Sequence, residues 1–372
     1  MSFALTPEEQ TRVETAAFLG LHLDPIGYVD LSTILVLSTM YLIEFIALCY
    51  QLHHRNYLPL KVKNMPIMFS LYLGGVSWFL GDIFTGGLVH LRQSPVLRNC
   101  KLTIIWLRAC IGAYYVTSIF ALRCYSLYYV FRKGKAYNSK ALLWSLGVAV
   151  ASILLFGVVS TLVPEEMTTY YEEIMDLCYI SREYIIAVLT VIWSIWLYTA
   201  IMTWRMRKVP FCFNERTEMA TAFCLLLLVS VMNTVCLLVI TVYPASLAWR
   251  TSLLYVNHVG ASVGYWVVMG VPTYHCIFNR EEYLQRWIQT LKQDHMEREY
   301  DYSSHNNNET TINLSEFTEI PSKPNSNYTS SQNHTADNGM DSTNMDTLTE
   351  QRDLHTGDIY FATGLSRKHE LV

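Results

Sequence analysis

The sequence predicts an all-α membrane protein: a bundle of seven transmembrane helices, a short amphipathic eighth helix and a disordered C-terminal tail. Three observations predict it. Seven stretches have the length of about 20 mostly apolar residues that a helix needs to cross a bilayer. Lys and Arg crowd into alternate connections between those stretches. Composition also changes near residue 280, from apolar to polar. The chain is 52% hydrophobic and 16% charged, where soluble domains carry about 25% charged residues, and the deficit of charge lies almost wholly before that point.

The elements follow in order. Residues 1–26 form an N-terminal segment that begins MSFALTPEEQTRVETAAFLG. It lacks a basic region and carries acids before any apolar run, so it does not resemble a cleaved signal peptide, and the first hydrophobic helix is expected to direct insertion. The spans are expected at 27–51, 65–91, 102–131, 141–163, 184–204, 219–243 and 251–278. Gly74-Gly75 and Gly86-Gly87 in the second span are expected to permit close helix packing. Residues 279–294, NREEYLQRWIQTLKQD, place Leu284, Trp287, Ile288 and Leu291 on one helical stripe. That pattern suits a helix lying on the membrane surface. Residues 295–372 are rich in Asn, Ser and Thr with few large apolar residues, as in disordered cytoplasmic tails. Their hydroxyls suit phosphorylation and the recruitment of regulators. Sequons occur there at Asn308, Asn313, Asn327 and Asn333, as expected by chance in such a composition.

Charge sets the orientation. The connections 52–64, 132–140 and 205–217 hold eleven Lys and Arg residues, whereas the other side holds six. Positive residues stay in the cytoplasm. The N-terminus is therefore expected outside and the tail inside, at the plasma membrane, and an odd number of spans agrees.

Topology also sorts the nine cysteines. Cys49, Cys110, Cys124, Cys224, Cys236 and Cys276 fall inside spans, and Cys212 falls in an inner connection. Only Cys100 and Cys178 fall on the oxidising side, where disulfides persist. A bond between them would tie the loop 164–183 to the top of the third helix.

With PLKVKN at 59–64, NCKLTIIW at 99–106 and ALRCYSLYYVF at 121–131, the region from about 27 to 290 resembles the G-protein-coupled receptors. It is closest to their glutamate-receptor class and to the seven-span part of fungal and plant receptors that carry an RGS domain. The resemblance implies transmission of an extracellular stimulus, from an unknown ligand, to a heterotrimeric G-protein. The chain departs from the pattern in several places. Leu122, not an acid, precedes Arg123. VPTYHCIF at 271–278 matches neither the NPxxY nor the PKxY ending of helix seven. The outer segment is too short for a clamshell ligand domain, and the tail is too short and polar for an RGS domain.

Ionisable residues at bilayer depth usually face the bundle interior. Asp82 and Arg108 are expected in the outer halves of neighbouring helices, at depths of about 10–14 Å by helical rise. Either they form a structural ion pair or they share a polar ligand. Asn257 and His258 join them as ligand-pocket candidates, with interhelical hydrogen bonding, which Asn233 also suits, as the plainer reading. Glu44 and Arg123 are expected toward the inner side. Arg123 either faces a cytoplasmic cavity or snorkels to the headgroups. With Lys133, Arg205, Arg207 and Lys208 it makes the set that would meet a G-protein, although the positive-inside bias and contact with anionic membrane lipids explain the basic loops equally well. The acidic, tyrosine-rich loop 164–183 is expected to be simply solvated, or else to draw a cationic ligand.

Other functions fit less well. A seven-span hydrolase needs histidines and an acid converging on zinc, but His258 and His275 stand about 25 Å apart along one helix. A retinal protein needs a lysine in the last span, and 251–278 has none. The chain is therefore not expected to be an enzyme, nor to need a metal or cofactor, nor to bind nucleic acid. A multi-pass transporter is the alternative, although no internal repeat supports it.

Overall fold

The computed structural model describes residues 6–18, 20, 22–92, 94–133, 139–206, 215–240 and 243–293. The tail 295–372 with its sequons, and the loop residues Cys212, Arg207 and Lys208, lie outside the described residues. The order is α1 (Pro7–Phe18), α2 (Tyr28–His53), α3 (Leu58–Val62), α4 (Met65–Thr85), a π-helical segment (Lys101–Tyr114) continuing into α5 (Tyr115–Lys133), and α6 (Ser139–Leu162). Strands β1 (Thr169–Glu172) and β2 (Leu177–Ile180) follow, then α7 (Arg182–Met206), α8 (Glu215–Val239), α9 (Leu247–Phe278) and α10 (Arg280–Gln293).

The packing is inverted relative to a water-soluble bundle. The buried stripe of α2 is Asp30, Thr33, Leu37, Tyr41, Glu44, Leu48 and Gln51, and its exposed face carries Leu31, Leu35, Leu42 and Ile46. A soluble helix buries its apolar stripe and exposes its polar one. Here the polar residues turn inward and the apolar ones outward, which suits a lipid solvent. Helix α6 likewise exposes Leu143, Trp144, Leu154 and Leu155. Among the described residues, six helices are long and apolar enough to cross a membrane. This is a helical membrane protein. Helix α9, at 32 residues about 48 Å long, is not one of the six, since Arg250, Asn257, His258 and His275 lower its apolar character.

The second span ends sooner than its sequence suggests. Residues 65–91 read as one run, but α4 stops at Thr85. Gly86 donates its N–H to the Asp82 carbonyl at 2.8 Å, and Gly87 takes φ +72°, a left-handed conformation open to glycine. Asp82 therefore lies in the last turn of its helix, nearer the outer end than the depth of about 10–14 Å expected from a span reaching 91. The seventh helix starts at Leu247, one turn before the expected 251.

Close approach defines the contact between α4 and the π-helical segment. A Cβ on Gly81 would stand 2.7 Å from Arg108 Cα, and one on Gly112 would stand 2.9 Å from Trp78 Cα. Glycine lets the two backbones touch.

The loop 164–183 is an ordered hairpin rather than a solvated segment. Its strands pair antiparallel, with Tyr171 opposite Cys178. Thr168, Thr169, Asp176, Leu177 and Cys178 are buried, while Glu165, Glu166 and Glu173 point out. The Cys100–Cys178 disulfide joins β2 to the first turn of the third long helix, and Leu91, Ile104, Ile105 and Tyr184 pack around it.

Candidate functional site

At the hairpin end, polar side chains from five helices and the turn before α9 form a network around Asp82. Helix α4 supplies Asp82 itself. The π-helical segment supplies Arg108, whose Nε lies 2.7 Å from Asp82 Oδ1. The contact is an ion pair rather than a well-aligned hydrogen bond. Arg108 Nη1 also donates to the Tyr243 hydroxyl at 2.8 Å, from the turn before α9. Helix α9 delivers two successive residues. Asn257 Nδ2 donates to Asp82 Oδ2 at 2.7 Å, and His258 Nε2 lies 3.3 Å from the same oxygen. From α2, the Tyr41 hydroxyl reaches His258 Nδ1 at 2.9 Å. From α8, Asn233 Nδ2 donates to Asn257 Oδ1 at 2.5 Å.

All of these residues except Asn233 are buried. A lone carboxylate there would carry a large desolvation penalty. The guanidinium offsets the charge, and the Asn257 amide donates to Oδ2, two of the contributions that let a buried ion pair be tolerated. Through Asp82, Asn257 and His258 in turn, the network ties five helices together.

Four of the sequence candidates, Asp82, Arg108, Asn257 and His258, converge in this network. The sequence did not single out Tyr41 or Tyr243 as partners. Tyr41 carried a signal, since it shares a helical stripe with Asp30 and Glu44. A second buried pair also escaped. Arg250 Nη2 lies 2.7 Å from Asp30 Oδ2, and Nη1 and Nη2 donate to the Asp24 and Pro25 carbonyls, each at 3.0 Å. Arg250 read as a loop charge only because the seventh span was placed one turn late.

The inner candidates do not join this site. Arg123 is buried and donates to the Lys63 carbonyl at 3.2 Å, so it does not snorkel. Glu44 forms a hydrogen bond with Ser262 on α9. Arg205 is exposed at the end of α7. Lys133 ends α5, and its side chain is outside the described residues.

Beside the network lies a cavity. Its wall is made by the π-helical segment, α5, α7 and α8, and Ile180 of β2 closes the hairpin side. The lining is overwhelmingly apolar, through residues such as Val116, Leu189 and Trp196. Arg108, Thr117, Ser230, Asn233 and Thr234 are among its few polar residues. That balance, apolar walls with a small number of placed polar groups, is typical of a small-molecule site.

Above the cavity, helix α1 docks onto the hairpin. Arg12 Nε donates to the Met175 carbonyl at 2.8 Å, and Nη1 meets Glu9 Oε1 at 3.0 Å. His90 Nδ1 lies 3.3 Å from Asp176 Oδ2, and Nε2 lies 3.8 Å from Glu9. The hydrogen bond to Asp176 raises the His90 pKa above its ordinary value, against the pull of burial. Burial alone would raise Asp176, but its bonds to His90 and Tyr171 outweigh that and hold it below the usual carboxylate range.

No protein-family model matches the chain, and no curated protein matches it either.

Proposed function

We propose that this chain is a seven-helix receptor of the plasma membrane, similar to G-protein-coupled receptors, with its N-terminus outside and its tail inside. In this reading α9 is the seventh span and α10 lies on the inner leaflet. The observation that carries the proposal is the largely apolar cavity beside the Asp82 network, closed by a hairpin that a disulfide fixes to the third helix. A ligand entering from outside would touch Arg108 and Asn233. Both belong to the network joining α2, α4, the third helix, α8 and α9, so occupancy can shift the balance between two arrangements of the bundle. The cavity favours a largely apolar ligand with one or two hydrogen-bonding groups. Its one cationic lining residue, Arg108, is already neutralised by Asp82.

Arg123, Lys133, Arg205, Arg207 and Lys208 are then the groups that meet the G-protein. The test is basal and ligand-screened activation of a panel of Gα subunits in cells expressing the chain, wild type against Arg123→Ala, at matched surface expression. The reading expects a response from at least one subunit that the variant loses. No response from any subunit, with wild type at the surface, would overturn it.

A transporter is the second reading. What favours it is a further cavity on the inner side, which shares Trp78, Val116 and Leu226 with the outer one. Uptake of a solute into proteoliposomes would support transport over signalling.

A further inference from the structure

Glu44 differs from the other buried carboxylates. Glu9 has Arg12, Asp30 has Arg250, Asp82 has Arg108, and Asp176 has His90 within 4 Å. Glu44 is just as buried, 4% exposed, yet among the described residues its recorded partner is the Ser262 hydroxyl, and no Lys, Arg or His forms an ion pair with it. A carboxylate at bilayer depth is costly to hold there without a cation and is a functional site by default.

The surroundings say what kind of cation fits. Glu44 lines the inner cavity, and Tyr41, Tyr72, Trp78, Phe120 and Tyr265 line it too. The tyrosine hydroxyls are engaged elsewhere. Tyr72 donates to the Tyr41 carbonyl at 3.1 Å, Tyr265 to Gln51 Oε1 at 3.0 Å, and Tyr41 meets His258. What these residues offer the cavity is ring surface. Aromatic faces around one carboxylate are the chemistry that holds organic ammonium ions, through cation–π attraction plus charge. A bare metal ion would want several oxygen ligands, and the lining offers few. Arg123 also lines the cavity, but Lys63 and Met68 hold it. Its charge favours a ligand whose ammonium sits at Glu44 and whose body extends toward Trp78, Val116 and Leu226.

We propose that the inner cavity is a binding site for an organic amine in its ammonium form, held by the Glu44 carboxylate within the ring of aromatic side chains. The site centres on Glu44, which does not line the outer cavity, and its occupancy is measured without a G-protein, so its failure and that of the receptor reading are distinguishable.

The test uses the full chain in lipid nanodiscs and follows thermal unfolding. The probe is 3-phenylpropylammonium, compared with the isosteric neutral 3-phenylpropan-1-ol and with sodium chloride at matched ionic strength. The proposal expects a saturable rise in midpoint with the ammonium and none with the alcohol or sodium. Glu44→Gln should weaken ammonium binding at least about tenfold. Ala261→Leu, which keeps the acid but fills the cavity, should abolish it and serves if Glu44→Gln does not fold. An equal shift with the alcohol, the same shift with sodium, or full binding by both variants would overturn the proposal.

Discussion

Arg108 and Asp82 stand 2.7 Å apart on helices whose backbones touch at Gly81. Breaking a buried pair by removing one partner strands the other charge and costs about 3–5 kcal/mol, whereas replacing both is far milder. We therefore predict that Asp82→Asn and Arg108→Met each lower the thermal midpoint sharply, and that the double variant recovers much of the loss. A double-mutant cycle on detergent-solubilised protein measures it. Additive losses would show that the two charges act independently.

Gly81→Ala follows from the same contact. The added Cβ would meet Arg108 Cα at 2.7 Å, and its other neighbours are Arg108 N and Cβ. Backbone cannot step aside like a side-chain tip, so the helices must separate. Overpacking of this kind costs about 1–3 kcal/mol. Thermal unfolding should show a loss of that size. A neutral result would mean that α4 and the third helix have more freedom to slide than their contact implies.

The Cys100–Cys178 bond closes a loop of 78 residues. Reducing a bond across such a loop removes about 2–4 kcal/mol. Cys178→Ser should lower the midpoint accordingly. It should also raise amide exchange across 169–180 before it affects the inner ends of the helices. Uniform destabilisation would count against a local role for the bond.

The docking of α1 should depend on pH. Because His90 is raised from its ordinary value of 6.5, its contribution is complete below pH 6.5 and is lost as pH climbs through the raised value. Asp176 is lowered from 3.8, so its contribution is present above that value and is lost as pH falls through the depressed one. Amide exchange over Pro7–Phe18, corrected for intrinsic rate, should be slowest between these limits. His90 is partly exposed, so screening limits the alkaline change to about fivefold or less. His90→Gln should flatten the alkaline limb and, because the bond to His90 helps to hold Asp176 down, move the acid limb toward higher pH.

Much of this was legible in the sequence, and the illegible parts share a cause. Apolar run length locates helices because a bilayer imposes one thickness. Cys100 and Cys178 emerge because topology leaves only two cysteines on one side. Asp82 and Arg108 can be matched because a short connection makes their helices neighbours. None of these arguments says which distant helices touch. Asp30 and Arg250 are 220 residues apart, Glu44 and Ser262 are 218 apart, and no spacing rule links them. The hairpin was hidden for a different reason. Its strands are four residues each, and its exposed acids mask the buried Thr169 and Cys178.

The Asp30–Arg250 pair bears on how the chain is made. Ribosomes add about 5–20 residues per second, so the 220 residues between the partners take about 10–45 s to synthesise. For that time the first span must wait with an acid at its mouth that no guanidinium yet neutralises. Helix α2 gains its contact with α9 only when α9 has been made. A chain halted before α9 would lack the guanidinium for that acid, so the pair dates the closure of the bundle as well as stabilising it.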